Sequence, residues 1–166
     1  MVKELPDELH AQIKRLCALG DELHERRDLA MAIAHYEQAF ALLPEPKGEW
    51  EAATWIMAAL ADAHFSSGHW AACREAVQYA FKFCPGALQN PFLHLRAGQA
   101  YFELGQIDTA KQWLTSAWTT GGDELFDGDD SKYLRFIREL LRPPADEVGE
   151  RGAPAVPRGR RTTRCS

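Results

Sequence analysis

NPFLHLRAGQAYFELGQIDTAKQWLTSAWTTGG, residues 90–122, is the stretch from which the fold is read. It divides into two amphipathic halves. Leu93, Ala97, Ala100 and Leu104 recur at steps of three and four, so they share one face of a helix. Asn90-Pro91 supplies the start, because Asn caps orphan amides and Pro is tolerated in a first turn. After Gly105 comes a second stripe, Ile107, Ala110, Leu114 and Ala117. Gly121-Gly122 stops it, since Gly takes the left-handed conformation that helix ends often need. Gly98 lies inside the first helix, where Gly costs about 1 kcal/mol relative to Ala. A close approach is the expected compensation. Gly98 and Ala110 are small enough to let the helices meet, with Tyr101 and Leu114 filling the flanks.

The pattern recurs upstream. Residues 6–26 predict a helix carrying Leu9, Ile13, Leu16, Leu19 and Leu23, again with an interior Gly20. A turn at Arg27-Asp28 leads to a helix over residues 29–43 with Ala32, Tyr36 and Ala39, which Pro44-Glu45-Pro46 terminates. A third helix is predicted from near Lys47 to Ser66, a turn at Gly68, and a partner helix over residues 70–84 before Pro85-Gly86. Here Met57, Leu60, Val77 and Ala80 keep the frame, while Ala61, His64 and Cys73 depart from it. After the acidic DELFDGDD, the segment SKYLRFIRELL sets Tyr133 or Leu134, Ile137 and Leu141 on one face, with Asp130 or Ser131 as its cap.

Small at Gly98, aromatic at Tyr101, turn at Gly105, small at Ala110, bulky at Leu114 and small at Ala117 resembles the tetratricopeptide repeat, a helix–turn–helix unit of ~34 residues. The resemblance covers residues 6–142 and implies an all-α solenoid of about three repeats plus a C-terminal capping helix. The Gly20-to-Ala61 and Ala61-to-Gly98 intervals both exceed ~34 residues, so longer helices or connections are expected. The domain is placed at residues 1–142. The Pro-, Gly- and Arg-rich tail, residues 143–166, has too few large apolar residues to offset its ordering entropy and is expected to be disordered.

Composition narrows the function. Apolar residues make up 46% and charged residues 26%, ordinary for a globular chain. No apolar run approaches the ~20 residues of a membrane span, and MVKELPDELH lacks the apolar core of a signal peptide, so a cytoplasmic location and no membrane partner are expected. The four cysteines form no CxxC pair and read as reduced, packed thiols. The net charge of -5 combines about +2 on residues 143–166 with -7 on the body. An acidic body argues against nucleic acid and fits a basic or amphipathic protein partner.

Catalytic and metal patterns fail on inspection. His69 and Cys73 stand four apart on a helix, but no third ligand has convincing spacing. His24-Glu25 opens like a zinc-protease motif and then lacks the second His. Asp123, Glu124, Asp127, Asp129 and Asp130 suggest a calcium loop, but Leu125 falls at a ligand position and no Glu closes it. These acids read as a solvated turn and helix cap. No phosphate loop or nucleophile elbow occurs, so no active site, metal or cofactor is expected.

In the family that the chain resembles, the first helix of each pair lines the concave side. That implies a groove displaying Asp21 and Glu25, then Trp55, Asp62 and Phe65, then Phe92, Gln99, Phe102 and Glu103. Aromatics interleaved with carboxylates suit a protein partner. A subclass that clamps a C-terminal carboxylate uses paired Lys and Asn there. Asp21, Asp62 and Gln99 hold the Asn-like places, which disfavours that ligand. PKGEWEAATW, NPFLHLRAGQAYFELG and LFDGDDSKYLRFI also resemble small bacterial members associated with polymorphic toxin systems. That resemblance implies an immunity or adaptor protein, monomeric when free, that binds a toxin domain. A secretion or assembly chaperone for an unfolded segment is the alternative, and a metal-dependent enzyme a distant third.

Overall fold

The computed structural model describes residues 3–142; the tail expected to be disordered lies outside them. Seven α-helices follow one another with no strand among the described residues: α1 (Asp7–Glu25), α2 (Leu29–Ala41), α3 (Glu51–Ser66), α4 (Trp70–Phe83), α5 (Pro91–Glu103), α6 (Ile107–Gly121) and α7 (Ser131–Leu140). They pair as α1 with α2, α3 with α4 and α5 with α6, and α1, α3 and α5 stand side by side. This is an all-α tetratricopeptide-type solenoid with a terminal cap.

The three inter-helix turns share one backbone shape. Arg27, Gly68 and Gly105 each take a positive φ, of 64°, 74° and 77°. The next residue in each, Asp28, His69 or Gln106, donates its amide to the carbonyl of Leu23, His64 or Tyr101 at 2.9 Å. Repetition thus extends to the dihedral angles, although only two of the three turns carry the Gly that this conformation favours.

Gly98 does mark a close crossing, but its neighbour is Leu114 rather than Ala110: a Cβ there would lie 2.5 Å from the Leu114 Cγ. Gly20 plays the same part in the first pair, where a Cβ would lie 2.5 Å from the Tyr36 ring. Asn90 and Asp130 cap α5 and α7 as expected, accepting from the amides of Phe92 at 3.0 Å and Lys132 at 2.9 Å.

The third helix starts later than the sequence suggests. Lys47–Glu49 forms a separate 3-10 turn, and Trp50 is extended before α3 begins at Glu51. At this interruption the Lys47 ammonium turns back to donate to the carbonyls of Phe40, Ala41 and Leu43 at the end of α2. The main core runs through α1–α5, and a satellite of Leu95, Leu114, Ala117, Phe126, Tyr133 and Ile137 lies beneath α7.

Candidate partner-binding groove

The side formed by α1, α3 and α5 is built differently at its two ends. At the α1–α3 end it is open. A cleft of about 580 Å³ lies there, with Trp50 and Trp55 as aromatic walls and His10 and Lys14 on α1 facing them. The Trp50 indole N–H donates to the carbonyl of Pro44 at 2.8 Å, which sets that ring. Farther along α1, Asp21 is exposed and accepts from the Tyr36 hydroxyl at 2.6 Å; Glu25 is exposed one turn on. Burial, and then the bond to Asp21, pushes the Tyr36 phenol well above its ordinary range. The bond ties Asp21 to the buried Tyr36 ring.

At the α5 end the groove is filled. Arg96 is 8% exposed, and its guanidinium carbon sits 4.4 Å from the Phe65 ring centre and 4.8 Å from that of Phe92. Its Nε and Nη2 donate to Asp62 Oδ1 at 2.9 and 2.7 Å. Its Nη1 donates to Gln99 Oε1 at 2.7 Å and to Asp129 Oδ2 at 2.8 Å. Gln99 Nε2 donates to the same Asp129 oxygen at 2.9 Å. One turn on, Glu103 accepts from the Tyr133 hydroxyl at 2.6 Å and pairs with Lys132. Phe102 packs edge-on against Tyr133 and Phe136.

The nine residues placed in the groove from sequence therefore fall into two sets. Trp55 lines the open cleft, and Asp21 and Glu25 are exposed farther along α1, outside it. Asp62, Phe65, Phe92, Gln99, Phe102 and Glu103 gather around Arg96 and the segment leading into α7. Gln99 is fully buried, so it is not displayed. Asp62 is not a free steering charge, because Arg96 neutralises it and His24 Nδ1 lies 3.7 Å from its other oxygen. Asp129 is likewise not part of a solvated turn. Sequence reading missed Arg96, whose pairing with Phe92 and Gln99 at helical steps of four and three was a usable signal. Asp129 and Tyr133 lie 30 or more residues from their partners, beyond any local pattern.

The thiols are packed: burial pushes Cys17 and Cys73 up to about 12, and Cys73 Sγ points at the Arg96 carbonyl, 3.7 Å away. His69 is exposed at the start of α4 and forms no site with Cys73. Among the described residues, no cluster of three or more His, Cys, Asp or Glu could hold a metal, and no helix is long and apolar enough to cross a membrane.

Residues 93–117, the α5–α6 pair, match the tetratricopeptide repeat family. The chain folds as a tetratricopeptide solenoid. Its fold is similar to the crystal structure of the Sgt2 tetratricopeptide domain from Aspergillus fumigatus, with a TM-score of 0.58 and 21% identity over 87% of this chain and 85% of that one. No curated protein matches it. In this solenoid the third repeat's inner face is covered by the chain itself, and the first two repeats carry the open surface.

Proposed function

We propose that the solenoid is a non-enzymatic scaffold that holds a segment of a partner protein along the open face of α1 and α3. The observation that carries this reading is the cleft at Trp55, where a half-buried indole faces Asp7, His10 and Lys14 on α1, with exposed Asp21 and Glu25 farther along the same helix. Half-buried aromatics anchor partners because they bury a large area with few rotatable bonds, while exposed charges at the rim govern the encounter. Asp21 and Glu25 favour a segment with basic residues beside an apolar anchor. The resemblance of three segments to toxin-associated bacterial proteins adds a finer role, an immunity or adaptor protein acting in the cytoplasm.

The test is selection of peptides from a random library on the immobilised full chain, followed by affinity measurement on variants. Trp55→Ala is expected to cost about 2 kcal/mol of binding, roughly thirtyfold, mainly through faster dissociation. Glu25→Lys is expected to slow association and flatten its salt dependence. Lys111→Glu on α6, away from the cleft, leaves binding unchanged. Loss of binding with Lys111→Glu and none with Trp55→Ala would sink the assignment.

A further inference from the structure

Every residue from Leu93 to Ala100 on α5 is buried, including the three polar ones, His94, Arg96 and Gln99. The inner face of a last repeat is open when only its own helix pair packs on it; here Asp129, Lys132, Tyr133 and Phe136 reach over to its side chains, while α7 rests on α6. We infer that this segment is a releasable strap, an internal ligand seated on the third repeat's concave face with Asp129 as its latch.

Three observations separate a strap from a fixed cap. The first is the chemistry of the contact. At the latch Asp129, Lys132 and Tyr133 meet Arg96, Gln99 and Glu103 through hydrogen bonds and ion pairs, groups that water can satisfy after separation, beside the apolar contacts of Phe102 with Tyr133 and Phe136. The second is that the seat stands without its occupant. Asp62 holds Arg96 through Nε and Nη2, and Phe65 and Phe92 hold its faces, so departure of Asp129 leaves the guanidinium paired and positioned. Only Nη1 and the Gln99 amide lose their shared acceptor. The third is the partition of the core: Tyr133 and Ile137 belong to the satellite cluster, and the main core contains no residue of α7. A ten-residue helix is too short to persist alone, so α7 opens and melts as one unit while α1–α4 stay packed. Opening exposes Phe92, Phe102, Arg96 and Gln99 and extends the open groove from two repeats to three.

Hydrogen exchange read by mass spectrometry on the free full chain tests the strap without a partner, so its outcome is separate from that of the binding reading. Amides of residues 132–140 are expected to exchange through an opening that leaves α1–α4 protected. Asp129→Ala is expected to speed them roughly tenfold or more, with α1–α4 unchanged, because it removes two hydrogen bonds that involve a charge. Tyr133→Phe, which keeps the ring and loses the bond to Glu103, should give a smaller acceleration in the same segment. The inference is overturned if the α7 amides exchange only together with those of α3 and α4, or if neither variant changes their rates. Should Asp129→Ala fail to fold, Tyr133→Phe decides: acceleration confined to residues 132–140 supports the strap, and uniform acceleration overturns it.

Discussion

Arg96 joins two helices and the approach to α7 with one guanidinium, so its removal is felt in several places at once. Arg96→Met leaves the Asp62 and Asp129 carboxylates partly buried without the guanidinium that pairs both. The expected cost is roughly 3 kcal/mol in urea unfolding. Adding Asp62→Ala and Asp129→Ala should recover much of that loss, since the penalty lies in the stranded charges. Failure to recover would mean that guanidinium packing between Phe65 and Phe92 dominates. Arg27 is a different case. It holds a left-handed φ of 64° where the other two turns have Gly, so Arg27→Gly is expected to stabilise by about 0.5–1 kcal/mol. A lower melting temperature would show that its contact with the Ser66 carbonyl at 3.4 Å outweighs the backbone strain. Gly98→Ala should cost roughly 1–3 kcal/mol, because the new Cβ would lie 2.8 Å from the Leu114 backbone nitrogen, which cannot move without moving α6.

Among the elements, α2 ends in an unusual way. No basic residue lies in its last turn, and the compensation comes from outside the helix, through the Lys47 ammonium on three terminal carbonyls. A cation there satisfies orphan acceptors and complements the helix dipole. Lys47→Met keeps most of the stem and is expected to cost about 1–2 kcal/mol, with faster amide exchange at the end of α2. An unchanged melting curve would show that water replaces the ammonium at no cost. The same junction holds the start of α3: Lys47 serves the preceding repeat, and the extended Trp50 sets its indole on the Pro44 carbonyl.

For the whole molecule, the buried ionisable groups set the response to alkali. Cys17 and Cys73 have an ordinary value of 9.0 and are pushed up to about 12 by burial, and the Tyr36 and Tyr133 phenols are raised as well. Between those limits the folded chain holds protons that the unfolded chain has lost. The unfolding free energy therefore falls as pH rises from about 9 towards 12 and is fully retained below that window. Urea midpoints at pH 7, 9 and 10.5 should be flat across the first interval and drop across the second. A flat profile throughout would mean that the thiols are not buried as described.

The repeat itself was legible in the sequence, because helix pairing is governed by local periodicity and by small residues where helices cross. Gly20, Gly98, Ala32, Ala39 and Ala117 fall at those positions, and Asn90 and Asp130 mark helix starts through bonds only two residues long. The state of the groove was not legible. Lining residues follow from helix phase, but whether they face solvent depends on what lies over them. For Gln99, Glu103 and Phe102 that cover comes from residues 129–136, roughly 30 positions on. Distance along the chain removes the periodic signal, and an acidic Asp129 reads locally as a solvated turn until Arg96 is brought to meet it. Tertiary structure alone decided which part of the inner surface the chain keeps for itself and which part it leaves open.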